Sequence, residues 1–258
     1  MRIVVFLKQV PKQGEAEMQD DFTLDRSRGG RLLNPADKSA LLMASSLRKR
    51  LGGEILCLSM GPPSAEEVLR EAAMDGADQL YLISDTLYAG SDTLATSRVL
   101  AAALEYLGKP ELVLCGRRAV DGETGQVGPE TSVRLGYSCV TNVISVEESG
   151  KTVRVERLLE TKIQTLSVVL PAVICVCETN TLSQLPGIET LRRAAAMHVE
   201  TLTNAELRIP NEKCGSAGSP TKVLEIHRRA FEKRKARYVF DTGDALELIL
   251  PVLGKFIV

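Results

Sequence analysis

Residues 112–130 read LVLCGRRAVDGETGQVGPE, and this stretch decides how the rest of the chain is understood. Leu112-Val113-Leu114-Cys115 is a wholly apolar run of strand length. A loop follows in which Gly122, Gly125 and Gly128 recur at every third position. A helix is expected from Pro129, with Gly128 as its cap, because the missing proline N–H needs no partner in a first turn. A strand, a glycine turn and a helix start aim several backbone N–H groups at one point. Together with the positive end of the helix dipole, they favour an anion such as a phosphate. Thr124 and Gln126 add neutral hydrogen-bonding groups. An ordinary loop of turn-forming residues is the competing reading. NTP hydrolysis is disfavoured, since a GxxxxGK[ST] loop would need a lysine that 122–128 lacks. A dinucleotide fingerprint after the first strand is missing too, because Arg2–Leu7 runs into Lys8-Gln9-Val10-Pro11.

Upstream, strands and helices alternate. Strands are expected at Arg2 to Leu7, Glu54 to Ser59, Gln79 to Ile83 and Glu111 to Cys115. The helix after Asn34-Pro35 carries Leu41, Ala44, Leu47 and Leu51 at helical spacing and stops at Gly52-Gly53. Asn34 is its expected cap. Ser64 and Glu67 suggest a capping box for the next helix, and Ser91-Asp92 starts a third. Short connections between such elements predict a parallel sheet covered on both faces, with ligands at the carboxyl ends of the strands. Leu7-Lys8, Met60-Gly61 and Cys115-Gly116 mark those ends, and Asn34-Pro35 offers another wall of the cleft. Residues 13–33, polar and aperiodic, read as a long surface excursion.

Downstream, Cys139 to Glu147, Lys151 to Leu158 and Ile163 to Leu170 read as strands, with Ser149-Gly150 as a hairpin turn. Ala172 to Cys177 returns to the main sheet. A polar loop with isolated Leu182, Leu185 and Ile188 then leads to a helix at Glu189 to Met197. Those apolar residues either anchor a partner or fold back on the core. Asn211 to Pro220, NEKCGSAGSP, has linker composition. Arg228 to Arg237 is a basic cluster read as a solvated helix face, and Asp244 to Val258 is an apolar tail that asks to be covered. The expected organisation is a nucleotide-binding domain at 1–200 and a linker with a C-terminal arm at 201–258.

The net charge of −1 excludes a strongly electrostatic nucleic-acid binder, and aromatic content of 4% supplies few stacking platforms. No run of about 18 apolar residues is present to span a membrane. The N-terminal MRIVVFLKQV reads as a strand rather than a signal peptide, so a cytoplasmic location is expected. The six cysteines lie mostly in apolar strands, where a thiol acts as a small hydrophobe. Two histidines, both in charged surroundings, leave little material for His-based catalysis.

The chain resembles the beta subunit of electron transfer flavoproteins. The resemblance is carried by Val5-Phe6-Leu7-Lys8-Gln9-Val10-Pro11, Leu33-Asn34-Pro35-Ala36-Asp37, Leu58 to Pro62, Met74 to Asp78, Gly116 to Pro129, Val155-Glu156-Arg157 and Leu185-Pro186-Gly187-Ile188. It implies an adenine nucleotide alpha hydrolase-like fold, doubly wound and mostly parallel, with a β-hairpin addition and a C-terminal arm. It also implies a heterodimer with an alpha subunit that carries an FAD near the contact. In the beta cleft it implies AMP, or a second FAD reduced by NADH in electron-bifurcating members; the Asp121 to Pro129 wording resembles the latter. The implied cofactor contacts are Phe6, Lys8, Asn34, Pro35, Ala36, Asp37, Met60, Gly61, Cys115, Val120, Asp121, Gly122, Glu123, Thr124, Gly125, Gln126, Val127 and Gly128. The implied partner contacts, toward an acyl-CoA dehydrogenase or similar flavin enzyme, are Leu185, Pro186 and Ile188 in the loop near 178–188. There the chain departs from the family. Glu178-Thr179-Asn180-Thr181-Leu182 stands where many members carry Asn-Glu-Pro-Arg-Tyr. A stand-alone adenine-nucleotide-sensing regulator is the rival of a different class, and a flavin spectrum separates the two.

Overall fold

The structure is a computed structural model that describes residues 1–12, 17–18, 24–25, 30–149, 152–179, 185–222 and 249–250. The strands are β1 (Arg2–Leu7), β2 (Gln9–Pro11), β3 (Glu17–Met18), β4 (Leu24–Asp25), β5 (Arg31–Leu33), β6 (Glu54–Met60), β7 (Gln79–Ile83), β8 (Leu112–Gly116), β9 (Ser138–Ser149), β10 (Thr152–Leu158), β11 (Ile163–Val169), β12 (Ala172–Val176) and β13 (Val199–Leu202). The helices are α1 (Pro35–Leu51), α2 (Glu66–Met74), α3 (Thr93–Tyr106), α4 (Val127–Leu135), α5 (Ile188–Ala196) and α6 (Asn204–Leu207).

A nine-stranded sheet in the order β11-β10-β9-β12-β8-β1-β6-β7-β13 forms the frame. From β9 to β13 all neighbours are parallel. Only β10 and β11 run antiparallel to their neighbours, which makes the expected hairpin addition. The fold is therefore α/β and mostly parallel. From β1 the chain moves outward to β6 and β7, then crosses back to β8 on the other side of β1. The reversal puts a topological switch point at the carboxyl ends of β1 and β8, the place where open α/β sheets bind ligands.

Alternate residues of each strand feed two cores. Ile3, Val5, Leu7, Ile55 and Cys57 pack with Leu41, Ala44 and Leu47 of α1 and Leu69, Ala72 and Ala73 of α2. Val4, Phe6, Leu56, Leu58 and Cys115 face the other way, against Val99, Leu100 and Leu104 of α3. Strands apolar on both sides are what a sheet covered on both faces requires.

Several expectations change. Within residues 13–33, β3 pairs with β4, and β5 pairs with β2 just before that stretch, so the described parts form ladders rather than a plain excursion. Ser64 does not cap a helix: its hydroxyl reaches Gln9 Oε1 at 3.2 Å, Pro63–Ala65 forms a 3-10 turn, and α2 starts at Glu66. Residues 199–202 form an additional strand, parallel to β7.

The linker reading of Asn211 to Pro220 fails. Arg98 Nη1 donates to the Gly218 carbonyl at 2.8 Å, and the Asp92 N–H donates to Ser219 Oγ at 2.8 Å. Cys214 is 2% exposed, and a Cβ at Gly218 would run into the Lys213 backbone. The small residues there permit close approach rather than freedom. The first compact unit accordingly runs from Met1 to Val223, beyond the expected boundary at 200. Leu224–Val258 is a separate unit in which Ile249 and Leu250 are described, both helical. The basic cluster and most of the apolar tail, like Gly150 and Leu182, lie outside the described residues. Among the described residues no helix is long and apolar enough to cross a membrane.

Candidate nucleotide site

Four residues at the start of α1 build the site wall. Asn34 is 1% exposed and stands at the cap position, yet its side chain makes no cap hydrogen bond. Instead its Nδ2 donates to the Arg118 carbonyl at 3.0 Å, and its Oδ1 accepts from the Val120 N–H at 3.2 Å. The residue expected to start a helix is a clamp on the loop after β8. Pro35 fills the first helical position, and Ala36 packs where a Cβ on Gly116 would come within 2.8 Å.

Asp37 joins the two strands of the switch point. Its Oδ2 accepts from the Lys8 N–H and its Oδ1 from the Gly116 N–H, each at 2.8 Å. Burial pushes its pKa up to about 7, against the opposing pull of the Gly116 and Lys8 amides and the Lys8 charge. Lys8 Nζ is paired with Asp121 Oδ1 at 2.7 Å, and the same oxygen accepts the Gly122 N–H at 2.8 Å. The loop is thus tied to β1 by an ion pair and to α1 by the Asn34 clamp.

The three glycines of the loop turn out to serve three different ends. A Cβ at Gly122 would meet nothing within 4 Å, so that side is open. Gly125 has φ +65°, a left-handed conformation that glycine adopts without strain. Gly128 is not the cap: α4 begins at Val127 with Gln126 preceding it. A Cβ on Gly128 would lie 2.5 Å from Cys175 Sγ and 3.0 Å from Cys115 Sγ, so glycine lets the helix sit on the sheet. Cys115 is therefore a packing residue beneath the site, 3.7 Å from Cys175. Its hydrogen bond and burial hold the Cys175 thiol well above its ordinary pKa, which keeps it uncharged.

Glu123 also has positive φ, +51°, and Thr124 and Gln126 are exposed. In the first turn of α4, Pro129 has no N–H and the Glu130 N–H donates to the Gln126 carbonyl at 2.9 Å, which leaves the amides of Val127 and Gly128 without an intrahelical acceptor. Phe6, Met60 and Val127 border the α3 side, Phe6 being 6% exposed, and Gly61 brings the chain round toward α2. The fold thus gathers the expected residues at one edge. The expected cofactor contacts left out Gly116, which the sequence reading had placed only at a strand end, and also Thr93 and Glu130. Gly116 carried a usable signal, a glycine directly after a buried strand. The other two carried none, because Thr93 comes from a distant helix.

Leu185 is 97% exposed and Ile188 69%, so neither folds back on the core. Leu185 and Pro186 border a cavity of about 410 Å³ with Lys38, Arg70 and Met74. Hydrogen bonds hold the ends of this segment: Thr179 N–H to Ser39 Oγ at 3.0 Å, and Arg70 to the Met197 carbonyl. A larger cavity, about 520 Å³, opens at the amino end of the sheet beside Arg2, Glu54 and Lys109. The charges there are spoken for, Arg2 by Glu54 and Lys109 by Glu105.

An electron transfer flavoprotein domain matches residues 21–207. The chain is 38% identical over 257 residues to the electron transfer flavoprotein subunit beta of Thermoanaerobacterium thermosaccharolyticum, covering 99% of this chain and 98% of that one. It is 37% identical over 266 residues to Protein FixA of Azorhizobium caulinodans, covering 99% and 95%. It is 36% identical over 227 residues to the caffeyl-CoA reductase-Etf complex subunit CarD of Acetobacterium woodii, covering 87% and 86%. The fold and the matched domain define a protein of flavin-linked electron transfer. Within that class the chain belongs to the electron transfer flavoprotein beta-subunit family, and its function is in electron transfer.

Proposed function

We propose that the cleft at the carboxyl ends of β1, β6 and β8 holds an adenine nucleotide, FAD in preference to AMP. The observation that carries this reading is the double clamp of Asn34 and Asp37, which fixes an otherwise open loop without using the loop's own first-turn amides. Those amides suit phosphate oxygens, the opening at Gly122 leaves room for a backbone approach, and Lys8 adds a partly exposed charge. Bound flavin supplies the redox chemistry. The chain's residues supply a fixed seat, a dry wall and local charge.

In this reading the chain works in the cytoplasm as one half of a heterodimer. The alpha subunit carries the other FAD, and the apolar C-terminal stretch docks on that subunit. Electrons pass between NADH or a flavin dehydrogenase and a partner acceptor, by bifurcation when the beta cleft holds FAD. The similarity to a subunit of a caffeyl-CoA reductase-Etf complex supports this arrangement. Family membership favours it over a stand-alone regulator. The test is to denature the purified heterodimer and quantify the released nucleotides by chromatography. Two FAD per heterodimer are expected; one FAD with one AMP would leave an electron carrier and remove bifurcation.

The partner side is tested separately. Leu185→Ala is expected to lower the electron-transfer rate to a partner dehydrogenase at limiting concentration by about 10-fold or more, the size of an interface anchor. A side chain this exposed contributes almost nothing to folding, so the melting temperature and nucleotide content should stay unchanged. Unchanged transfer would show that the anchor lies elsewhere.

A further inference from the structure

One charged oxygen at the rim of the site has no hydrogen-bond partner. Glu130 lies in the first turn of α4, and its Oε2 is buried and unpartnered. Donors are short around it. The Thr93 hydroxyl, on the first residue of α3, lies 3.0 Å from Gln126 Oε1 and 3.2 Å from Glu130 Oε1. A hydroxyl carries one hydrogen, so it fully serves only one of them. Turning the Gln126 amide over relieves that conflict but leaves Glu130 Oε2 as it was. Arg134, one turn further along α4, gives its Nε–H to Ser97 Oγ at 3.0 Å and meets Glu130 through its charge, without a hydrogen bond to Oε2. Ser59 Oγ is the other unpartnered buried side-chain atom among the described residues. It is a neutral hydroxyl level with Leu7 and Leu82 in the sheet, where a missing bond costs far less than at a carboxylate.

The position of Glu130 gives the orphan oxygen its meaning. Asn34 and Asp37 reach the loop from α1, on one face of the sheet. Thr93, Gln126 and Glu130 gather between the amino ends of α3 and α4, on the other face. Along the chain, Val127 and Gly128, whose amides would take a phosphate, lie between Gln126 and Glu130 of the second group. On the reading that the sugar and base of the adenine half lie toward α1, their hydroxyls and amino group point away from Glu130, whereas a dinucleotide continues past its pyrophosphate toward the α3 side.

We propose that Glu130 is a contact residue for the second half of a dinucleotide, its Oε2 accepting a hydrogen bond from a hydroxyl or ring N–H that AMP lacks. This rests on the reading of the cleft as a nucleotide site. Gln126 is exposed, so its side chain can turn outward and admit the donor.

Glu130→Gln keeps the side chain's size and an acceptor for Thr93, but it loses the charge and can set an N–H donor against the ligand's donor. The full-length chain, freed of nucleotide, is titrated with FAD and separately with AMP by calorimetry. FAD affinity is expected to fall about 10-fold or more, as for a lost charge-assisted hydrogen bond, while AMP affinity stays within about twofold. Equal losses for both ligands, or no loss for FAD, overturn the inference. Glu130→Ala is read the same way if the glutamine variant does not fold. A native chain that binds AMP alone also overturns it but leaves the nucleotide site standing. A native chain that binds neither removes the site itself.

Discussion

Gly116→Ala is expected to lower the melting temperature by roughly 10 °C and to strip the protein of bound nucleotide. Gly116 ends β8, and its backbone does not require glycine, since its φ is not positive. Space requires it. A Cβ there would overlap Asp37 Oδ1 and lie 2.8 Å from Ala36 Cβ and 2.9 Å from the Asp37 backbone nitrogen. Two of these three neighbours are fixed to the helix backbone, so the relief must come from moving the first turn of α1. That turn carries Asn34 and Asp37, and both clamps loosen when it moves. Overpacking and the weakened hydrogen bonds together cost roughly 3 kcal/mol. At about 2–4 °C per kcal/mol for a chain of this size, the shift is large enough to read in any melting experiment. Gly122→Ala is the control, because its Cβ meets nothing within 4 Å and its melting temperature should match the native one. Equal melting of Gly116→Ala and the native protein would mean that the first turn of α1 yields without cost.

The frame was legible because its strands are short, apolar and separated by helical periodicities. β1, β7 and β12 could be read directly, since nearly every residue in them is buried. β13 could not, because only Val199 and Leu202 of its four residues are buried and its identity comes from pairing with β7. Composition misled where small residues were present for contact: NEKCGSAGSP has the residues of a linker and the packing of a wedge between Arg98, Asp92 and Ala89. In the candidate site, the placement of the expected residues near the strand ends was legible but their contacts were not. Asn34 has the identity and position of a cap, and nothing in the local sequence says that its amide instead serves Arg118 and Val120, more than 80 residues away. The triplet spacing of Gly122, Gly125 and Gly128 suggests one purpose, whereas openness, a left-handed turn and a close contact with two thiols are separate demands. Such demands come from neighbours remote in sequence, so local pattern cannot carry them.

Asp37→Asn is expected to change both the stability and its dependence on pH. The carboxylate spends one oxygen on each strand end, Oδ2 on Lys8 and Oδ1 on Gly116. An asparagine has one acceptor, so its NH₂ must face one of those backbone N–H groups, at a cost of about 1–3 kcal/mol. The second consequence follows from the charge. Burial raises the folded-state pKa of Asp37 from its ordinary 3.8 to about 7. Between those values the folded protein holds a proton that the unfolded chain has released. Folding then takes up a proton, and the stability from this group is greatest below about pH 4 and declines as pH rises toward 7. At about 1.4 kcal/mol per pH unit, the full span amounts to on the order of 4 kcal/mol. The asparagine variant has no such proton. The native-minus-variant difference in unfolding free energy should therefore shrink steadily from pH 4 to pH 7 and flatten above it, in chemical denaturation at fixed temperature. If the two amides and the Lys8 charge outweighed burial, the folded pKa would lie below 3.8 and the difference would instead widen with rising pH below that value. The slope thus decides whether the link between β1, β8 and α1 is a carboxylate held against its burial or one held by it.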